Sequence, residues 1–257
     1  MIEIKDLKKS YGSQVVLNGV NLTIGDGELV AIIGRSGIGK SVLLKHIIGL
    51  LKPDSGSIII NGKDITGLRA RELDEVRSKF AYLFQGGALF DSLTAFQNVA
   101  FPLREKTKLS KEEIRARVLQ ALGDVELDGI GRKYPAELSG GMKKRVALAR
   151  ALIMEPEVVL FDEPTTGLDP IIVNTIHNLI VRTHRKYGFS GLIVSHEIPK
   201  IFGVAEKVAM LHEGVIAAAG TPEAIRRSTN PIVHQFVTGC VDGSDGCGEA
   251  LEDHQAR

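Results

Sequence analysis

The sequence lacks an excess of charge, a cysteine framework and a long hydrophobic run. Its 32 basic and 31 acidic residues give a formal net charge of +1, which provides no bulk attraction to nucleic acid or anionic lipid. There is no run of about 18 apolar residues and no apolar signal segment near Met1, so we expect neither a membrane-spanning helix nor export. Cys240 and Cys247 lie in a polar tail without neighbouring ligand residues, which favours two free thiols over a disulfide or a metal site. These absences predict a soluble, cytosolic protein.

The order of the apolar runs indicates an α/β fold. Of the 257 residues, 44% are hydrophobic and 25% are charged, which is an ordinary globular composition. Continuous apolar strands are expected at residues 28–33, 80–84, 158–161 and 191–195, and helices at 43–51, 143–153 and 172–186. Residues 1–100 otherwise read as short strands around a single helix. Apolar strands that alternate with helices predict a parallel sheet covered on both faces.

The middle of the chain has a different character. Residues 93–122 are charged and helical in period, and Ser110 with Glu113 fits a capping box. We expect a helical insertion at about residues 86–156 inside one domain of residues 1–239, followed by a disordered polar tail at 240–257. The charged stretch 104–117 fits either a solvated helix face or a docking surface.

A glycine-rich segment after the first apolar strand fits the phosphate-binding pattern GxxxxGK[ST] without a gap. Its glycines let backbone N–H groups point inward as an anion nest, and the helix start adds partial positive charge. Lys40 is expected to reach the β- and γ-phosphates, and Ser41 to offer its hydroxyl to Mg²⁺. The alternative is a turn that merely caps a helix. The predicted nucleotide-binding residues here are Gly34, Arg35, Ser36, Gly37, Ile38, Gly39, Lys40 and Ser41.

An acidic pair, Asp162 and Glu163, follows the buried strand at residues 158–161. Open parallel sheets place their ligands at the carboxyl ends of the strands. We therefore expect Asp162 to hold Mg²⁺ through water, and Glu163 to orient or deprotonate the attacking water. Taken alone, the pair also fits an exposed strand end.

A second anion-ready helix start is expected at Ser139, Gly140 and Gly141. Six features follow one another along the chain: the phosphate loop, Gln85, this Leu-Ser-Gly-Gly segment, Asp-Glu-Pro, Gly167-Leu-Asp169 and His196. In this order they resemble an ABC-type ATPase cassette. The resemblance covers residues 1–220, and Met142 stands where the family most often has Gln.

This resemblance implies a P-loop NTPase (RecA-like) parallel-sheet core with an N-terminal antiparallel β-subdomain and an inserted α-helical subdomain. It implies ATP and Mg²⁺ as cofactors and a homodimer in which Asp169 lies across the seam. It also implies that Tyr11 stacks on adenine, that Gln85 touches Mg²⁺ and the water, and that His196 contacts the γ-phosphate. Without the resemblance, Tyr11 fits an exposed hairpin tyrosine, and Gln85 and His196 fit ordinary polar strand ends.

A finer resemblance, in residues 85–103, is to the Mla/Mkl subfamily of bacterial lipid-transport ATPases. It implies a separate integral membrane permease, an MCE-domain lipid-binding protein, a small regulatory subunit and a peripheral position on the cytoplasmic side of the inner membrane. The apolar residues Ala88, Leu89, Phe90 and Leu93 fit a surface covered by such a permease or burial within the insertion itself. The alternatives are a small-solute importer and a soluble ATPase of a protein-assembly scaffold.

Overall fold

The computed structural model describes residues 1–239, so the predicted tail and both cysteines lie outside the described residues. The strands are β1 Ile2–Tyr11, β2 Gln14–Ile24, β3 Leu29–Ile33, β4 Ser55–Ile60, β5 Lys63–Asp64, β6 Phe80–Leu83, β7 Val158–Asp162, β8 Ser190–Val194, β9 Lys207–His212 and β10 Val215–Gly220. The helices are α1 Lys40–Ile47, α2 Ala70–Arg77, α3 Ala95–Lys106, α4 Lys111–Asp124, α5 Gly140–Leu152, α6 Pro170–Tyr187, α7 Pro222–Arg226 and α8 Pro231–Thr238. Short 3₁₀ turns occupy Pro135–Glu137 and Lys200–Gly203.

Two sheets organise the described chain. A four-stranded antiparallel sheet has the order β2-β1-β4-β5, and a six-stranded sheet has the order β10-β9-β3-β8-β7-β6. In the larger sheet β9, β3, β8, β7 and β6 run parallel, and β10 is the antiparallel edge strand. The expected α/β class, with a parallel core beside an antiparallel β-sheet, is confirmed.

Side-chain alternation along the central strands builds a core on each face of the larger sheet. On β3, Leu29, Ala31 and Ile33 join the cluster that includes α3, α4 and α5, while Val30 and Ile32 join the cluster with α1 and the antiparallel sheet. All five residues of β3 are buried. The continuous apolar pattern is therefore the result of burial on both faces of the sheet. Because the strands themselves are fully buried, polar side chains that face solvent or a ligand lie at the strand ends.

The structure corrects some of the predicted elements. Residues 70–77 form a second helix in the first hundred residues, where only one was expected. The helix α2 has no fully buried residue and packs on the core only through the partly buried Leu73 and Val76, so its apolar stripe is too short to stand out in a sequence-based prediction. The segment 93–122 divides into α3 and α4. The capping box at Ser110 is confirmed, because its hydroxyl accepts a bond from the Glu113 amide.

No helix among residues 1–239 is both long and apolar enough to cross a bilayer.

Candidate active site

The phosphate loop lies between the carboxyl end of β3 and the start of α1. Gly34 and Gly39 have φ angles of 147° and 103°, a region that L side chains rarely adopt. A Cβ at Gly34 would lie 2.5 Å from the Leu211 carbonyl oxygen. Gly39 is the residue that precedes the first turn of α1, so free helix N–H groups point into the loop. The loop can therefore cradle an anion at a helix N-terminus.

Lys40 is the first residue of α1 and is buried, with a relative exposure of 4%. Its ammonium group donates to the carbonyl oxygens of Gly34, at 2.9 Å, and Arg35, at 2.8 Å. Burial lowers the pKa of Lys40, while the charges of Glu163 and Asp162 oppose that shift. A buried cation that is held by two backbone carbonyls of the phosphate loop is suited to bind a polyanionic ligand.

Asp162 ends β7 and connects the acidic pair to the phosphate loop. Ser41 Oγ donates to Asp162 Oδ1 at 2.6 Å, and Tyr82 on the neighbouring strand β6 donates to Oδ2 at 2.7 Å. Burial, and then the bond to the Asp162 carboxylate, raise the pKa of the Tyr82 hydroxyl. Hydroxyl, carboxylate and amide oxygens of Ser41, Asp162 and Gln85 form a hard donor set. In residues 1–239, His, Cys, Asp and Glu side chains form no group of three or more that could hold a metal ion. The set of Ser41, Asp162 and Gln85 contains only one such side chain, but it fits Mg²⁺, because Mg²⁺ is usually held by few protein ligands together with phosphate oxygens.

Glu163 directly follows β7 with a φ of 48°, an uncommon conformation for a residue other than glycine. Three side chains surround its carboxylate. Thr166 donates to Oε2 at 2.9 Å and Gln85 donates to Oε2 at 3.3 Å, while His196 Nδ1 lies 3.6 Å from Oε1. Gln85, Glu163 and His196, three predicted site residues, are thus together at the ends of three strands.

A cleft of about 380 Å³ joins half of the predicted site residues. Tyr11 stands at its margin with 47% of its surface exposed, available for stacking on a planar ligand. Arg35 and Ile38 do not line this cleft: Arg35 is exposed, and Ile38 packs partly buried on the core. The lining comprises Tyr11, Val16, Ser36, Gly37, Gly39, Lys40, Ser41, Val42, Gln85 and Glu163.

The second anion-ready helix start stands apart from this cleft. Ser139 precedes α5, and its hydroxyl accepts a bond from the Met142 amide at 3.3 Å. Ser139 and Gly140 are exposed and neither lines the cleft. Gly141 is buried against α6. A Cβ at this position would lie 2.6 Å from an Ile172 methyl carbon. Asp169 accepts the amides of Ile171 and Ile172 as the cap of α6.

The apolar segment after Gln85 is partly buried and partly exposed. Leu89 packs against the core, whereas Phe90 is 45% exposed and Phe101 is 38% exposed. The two phenylalanine rings lie 4.9 Å apart and form one exposed aromatic pair. In the charged stretch 104–117, Arg104, Arg115 and Arg117 are exposed.

Sequence reasoning missed several side chains of this site. Tyr82 and Thr166 hold the two carboxylates, and Lys144 and Arg150 on α5 donate to backbone carbonyls after β6. Each makes contacts between segments that no local motif connects, except Thr166, which lies three residues after Glu163. The hydroxyl at that spacing was the one signal that could have found it.

A phosphate loop on a helix start, beside a serine–aspartate pair and a glutamate that directly follows β7 of the same sheet, defines a P-loop nucleotide-hydrolysing protein. The family model described as ABC transporter matches residues 17–166. The chain belongs to the ABC transporter family, and it is an ATPase of that family.

Named relatives match nearly the whole chain. It is 44% identical over 252 residues to the probable ribonucleotide transport ATP-binding protein mkl of Mycobacterium tuberculosis, covering 98% of this chain and 70% of the relative. It is 42% identical over 243 residues to the intermembrane phospholipid transport system ATP-binding protein MlaF of Haemophilus influenzae, covering 95% and 92%. It is 44% identical over 260 residues to the chloroplastic protein TRIGALACTOSYLDIACYLGLYCEROL 3 of Arabidopsis thaliana, covering 95% and 75%.

Solved cassettes share the fold. The dimeric ATP-binding cassette MJ0796 in a post-hydrolysis state with ADP and Pi aligns with a TM-score of 0.79 and 35% identity, covering 86% of this chain and 99% of that one. The cbiO1 subunit of a Clostridium perfringens ABC transporter complex aligns with a TM-score of 0.81 and 34% identity, covering 87% and 89%.

Proposed function

We propose that residues 1–239 form the nucleotide-binding domain of an ABC transporter that moves phospholipid, with a helical subdomain at about residues 86–156. The observation that carries the catalytic part is the meeting of the phosphate loop with the acidic pair, through the Ser41–Asp162 hydrogen bond. Backbone amides of the loop and Lys40 bind the triphosphate, and Tyr11 stacks on the adenine.

The chemical step is assigned to Glu163. Its carboxylate accepts a proton from the attacking water, while Gln85 and His196 hold the water and the γ-phosphate in line. Ser41, Asp162 and Gln85 would hold Mg²⁺, which would supply the positive charge that neutralises charge developing on the phosphate oxygens. Thr166 holds the Glu163 carboxylate by donating to Oε2, the same oxygen that accepts from Gln85.

The working form is a homodimer with two shared sites. One chain holds two anion-ready helix starts, at Gly39 and at Ser139, and only the first lines the cleft. In a two-fold dimer, Ser139 and Gly140 of each subunit would contact the triphosphate in the other subunit's cleft. The dimeric state described for MJ0796 supports this arrangement.

The cargo proposed is phospholipid, supported by the match to MlaF over 95% of this chain and 92% of that relative. Partners would be an integral membrane permease, an MCE-domain lipid-binding protein and a small regulatory subunit. The ATPase would sit on the cytoplasmic side of the inner membrane. The exposed pair Phe90 and Phe101, close to Gln85 in sequence, is the proposed permease contact.

Co-purification from the native host in mild detergent tests the partners and the cargo class. We expect an integral membrane protein and an MCE-domain protein, with phospholipid in the complex. Phe101→Glu should lose the permease, and Leu119→Glu, a change at another exposed apolar residue of the insertion, should retain it. The mkl name makes ribonucleotide transport the competing cargo. Capture of a nucleotide permease without bound lipid would refute the phospholipid assignment.

A further inference from the structure

Two cationic side chains of α5 hold the backbone that follows Gln85. The Lys144 ammonium donates to the Gln85 carbonyl oxygen. The Arg150 guanidinium donates to the carbonyl oxygens of Gly87, at 2.7 Å, and Ala88, at 2.8 Å. Three carbonyls within four residues are therefore bound by one helix, through charge-assisted bonds that are stronger than neutral ones.

Packing between these bonds brings the loop against the same helix face. Lys144, Ala147 and Arg150 are spaced three residues apart, so they lie on one side of α5. A Cβ at Gly87, which has a φ of 75°, would lie 3.3 Å from the Ala147 Cβ. Lys144 is only 7% exposed, so the contact is made inside the protein. The loop is seated on α5 along about two helical turns.

The far end of the loop is fixed as well. Asn98 is fully buried, accepts the Phe90 amide at 2.8 Å and donates to the Phe90 carbonyl at 3.0 Å. The Phe90 ring also lies under the Arg150 guanidinium, 5.8 Å from it. The segment from Gln85 to Phe90 is thus held by α5 along its length, and by α3 at its far end through Asn98.

The N-terminus of α5 and the loop held on its side differ in their relation to the chain's own cleft. The N-terminus of α5 carries Ser139 and Gly140, which are exposed outside the chain's own cleft. About one turn further along α5, Lys144 holds the backbone of Gln85, whose side chain donates to Glu163 at 3.3 Å within that cleft. A helix is stiff along its axis, so a displacement of its N-terminus is carried to the groups hydrogen-bonded along its side.

We propose that Lys144 and Arg150 form a clamp that couples the position of α5 to Gln85, so that engagement of Ser139 at the partner's nucleotide sets Gln85 in its own site. Both are positioning residues, since they act through the loop and touch neither nucleotide nor water. The inference rests on the proposed shared-site dimer. Its consequence is that each site becomes competent only when the opposite signature segment is seated.

The test compares Lys144→Met and Arg150→Met with the conservative Lys144→Arg and Arg150→Lys, and with Lys111→Met, a control at an exposed lysine of α4. For each protein we would measure kcat and KM for MgATP, the melting temperature, and hydrogen exchange of the amides of residues 85–90. Exchange would be measured with and without MgATP in the Glu163→Gln background, in which we expect MgATP to hold the dimer closed.

The methionine variants should lose at least about tenfold in kcat, while KM stays within about twofold. Closure should slow exchange at residues 85–90 when the clamp is intact, and should no longer do so in the methionine variants. The conservative variants should recover most of the kcat, since they keep a cationic donor, and Lys111→Met should match wild type.

Wild-type kcat together with closure-dependent exchange in both methionine variants would overturn the clamp. A fall in kcat that is accompanied by falls in ATP affinity and in melting temperature would also overturn it, because the side chains would then be merely structural. If a methionine variant does not fold, Lys144→Arg and Arg150→Lys decide: they must keep the slowing of exchange on closure. A wild-type chain that fails to hydrolyse MgATP would refute the proposed function itself, independently of the clamp.

Discussion

Ser41 and Asp162 are 121 residues apart in the chain, yet the Ser41 hydroxyl donates to the Asp162 carboxylate at 2.6 Å. The contact exists because β3 leads into the phosphate loop and α1, while β7 ends beside them in the same parallel sheet. One hydrogen bond therefore joins the loop that binds phosphate to the acidic pair that acts on it.

The Tyr82 hydroxyl gives a first prediction, because it is the second donor to Asp162. In Tyr82→Phe the carboxylate loses one of its two protein donors and becomes free to turn. A hydrogen bond to a charged group contributes about 1.5–3 kcal/mol, so the Mg²⁺ concentration for half-maximal ATPase activity should change at least about tenfold, with little change in saturated kcat. A Mg²⁺ titration of steady-state hydrolysis measures this. An unchanged titration would show that the Tyr82 bond does not position Asp162.

Lys40→Ala should weaken ATP binding. The variant removes a buried cation from the phosphate loop, and a hydrogen bond to a charged group contributes about 1.5–3 kcal/mol, which is at least about a tenfold loss of affinity. Lys45→Ala, at a half-buried lysine on the same helix, is the matched control and should bind like wild type. Equal affinities for all three proteins in calorimetric titration would mean that the phosphate loop is assigned wrongly.

Mixed dimers test whether sites are shared. Ser139→Arg disables the signature segment and Lys40→Ala disables the phosphate loop, so each homodimer should be inactive. In a mixed dimer with shared sites, one site takes its Lys40 from the first chain and its Ser139 from the second, and partial activity should return. A purified mixed dimer, verified by two different affinity tags, that stays inactive contradicts sharing.

A buried histidine on α6 predicts how stability depends on pH. Burial, with a smaller effect from the charge of Lys200, lowers the pKa of His177 from 6.5 to about 4. The unfolded chain therefore takes up the proton first as the pH falls. The stability contributed by neutral His177 is complete above about pH 6.5 and is lost between about pH 6.5 and pH 4.

At pH 5 this loss amounts to about 2 kcal/mol. His177→Leu should therefore lose less stability between pH 7.5 and pH 5 than wild type does, as measured by denaturant unfolding. His234→Leu, at an exposed histidine of α8, should keep the wild-type dependence. The same pH dependence in wild type and His177→Leu would rule out this residue as the source.

Sequence alone reached the sheet core and much of the candidate site, for a physical reason. Strands buried on both faces have continuous apolar runs, as in 28–33 and 158–161, and a phosphate loop needs glycines at fixed positions such as Gly34 and Gly39. Both requirements are local, so they are visible in the order of the residues.

The missed features depend on contacts between distant segments. Lys144 and Arg150 look like surface cations of an amphipathic helix, and only the fold brings the carbonyls of residues 85–88 to them. Tyr82 alternates with buried neighbours in β6, and its partner Asp162 is 80 residues away. The helix α2 was missed because only Leu73 and Val76 pack against the core, and neither is fully buried.

The most direct test of the account is Glu163→Gln, measured for ATP binding and turnover in the same preparation. The amide keeps nearly the shape of the carboxylate, and its oxygen can still accept the Thr166 bond, but it cannot take a proton from water. General-base assistance contributes roughly 10²–10⁴-fold, so turnover should fall at least about 100-fold while ATP affinity holds. Removal of a negative charge near the γ-phosphate should also let the MgATP-bound dimer accumulate in size-exclusion chromatography. Hydrolysis at near the wild-type rate would contradict the assignment of Glu163 as the base.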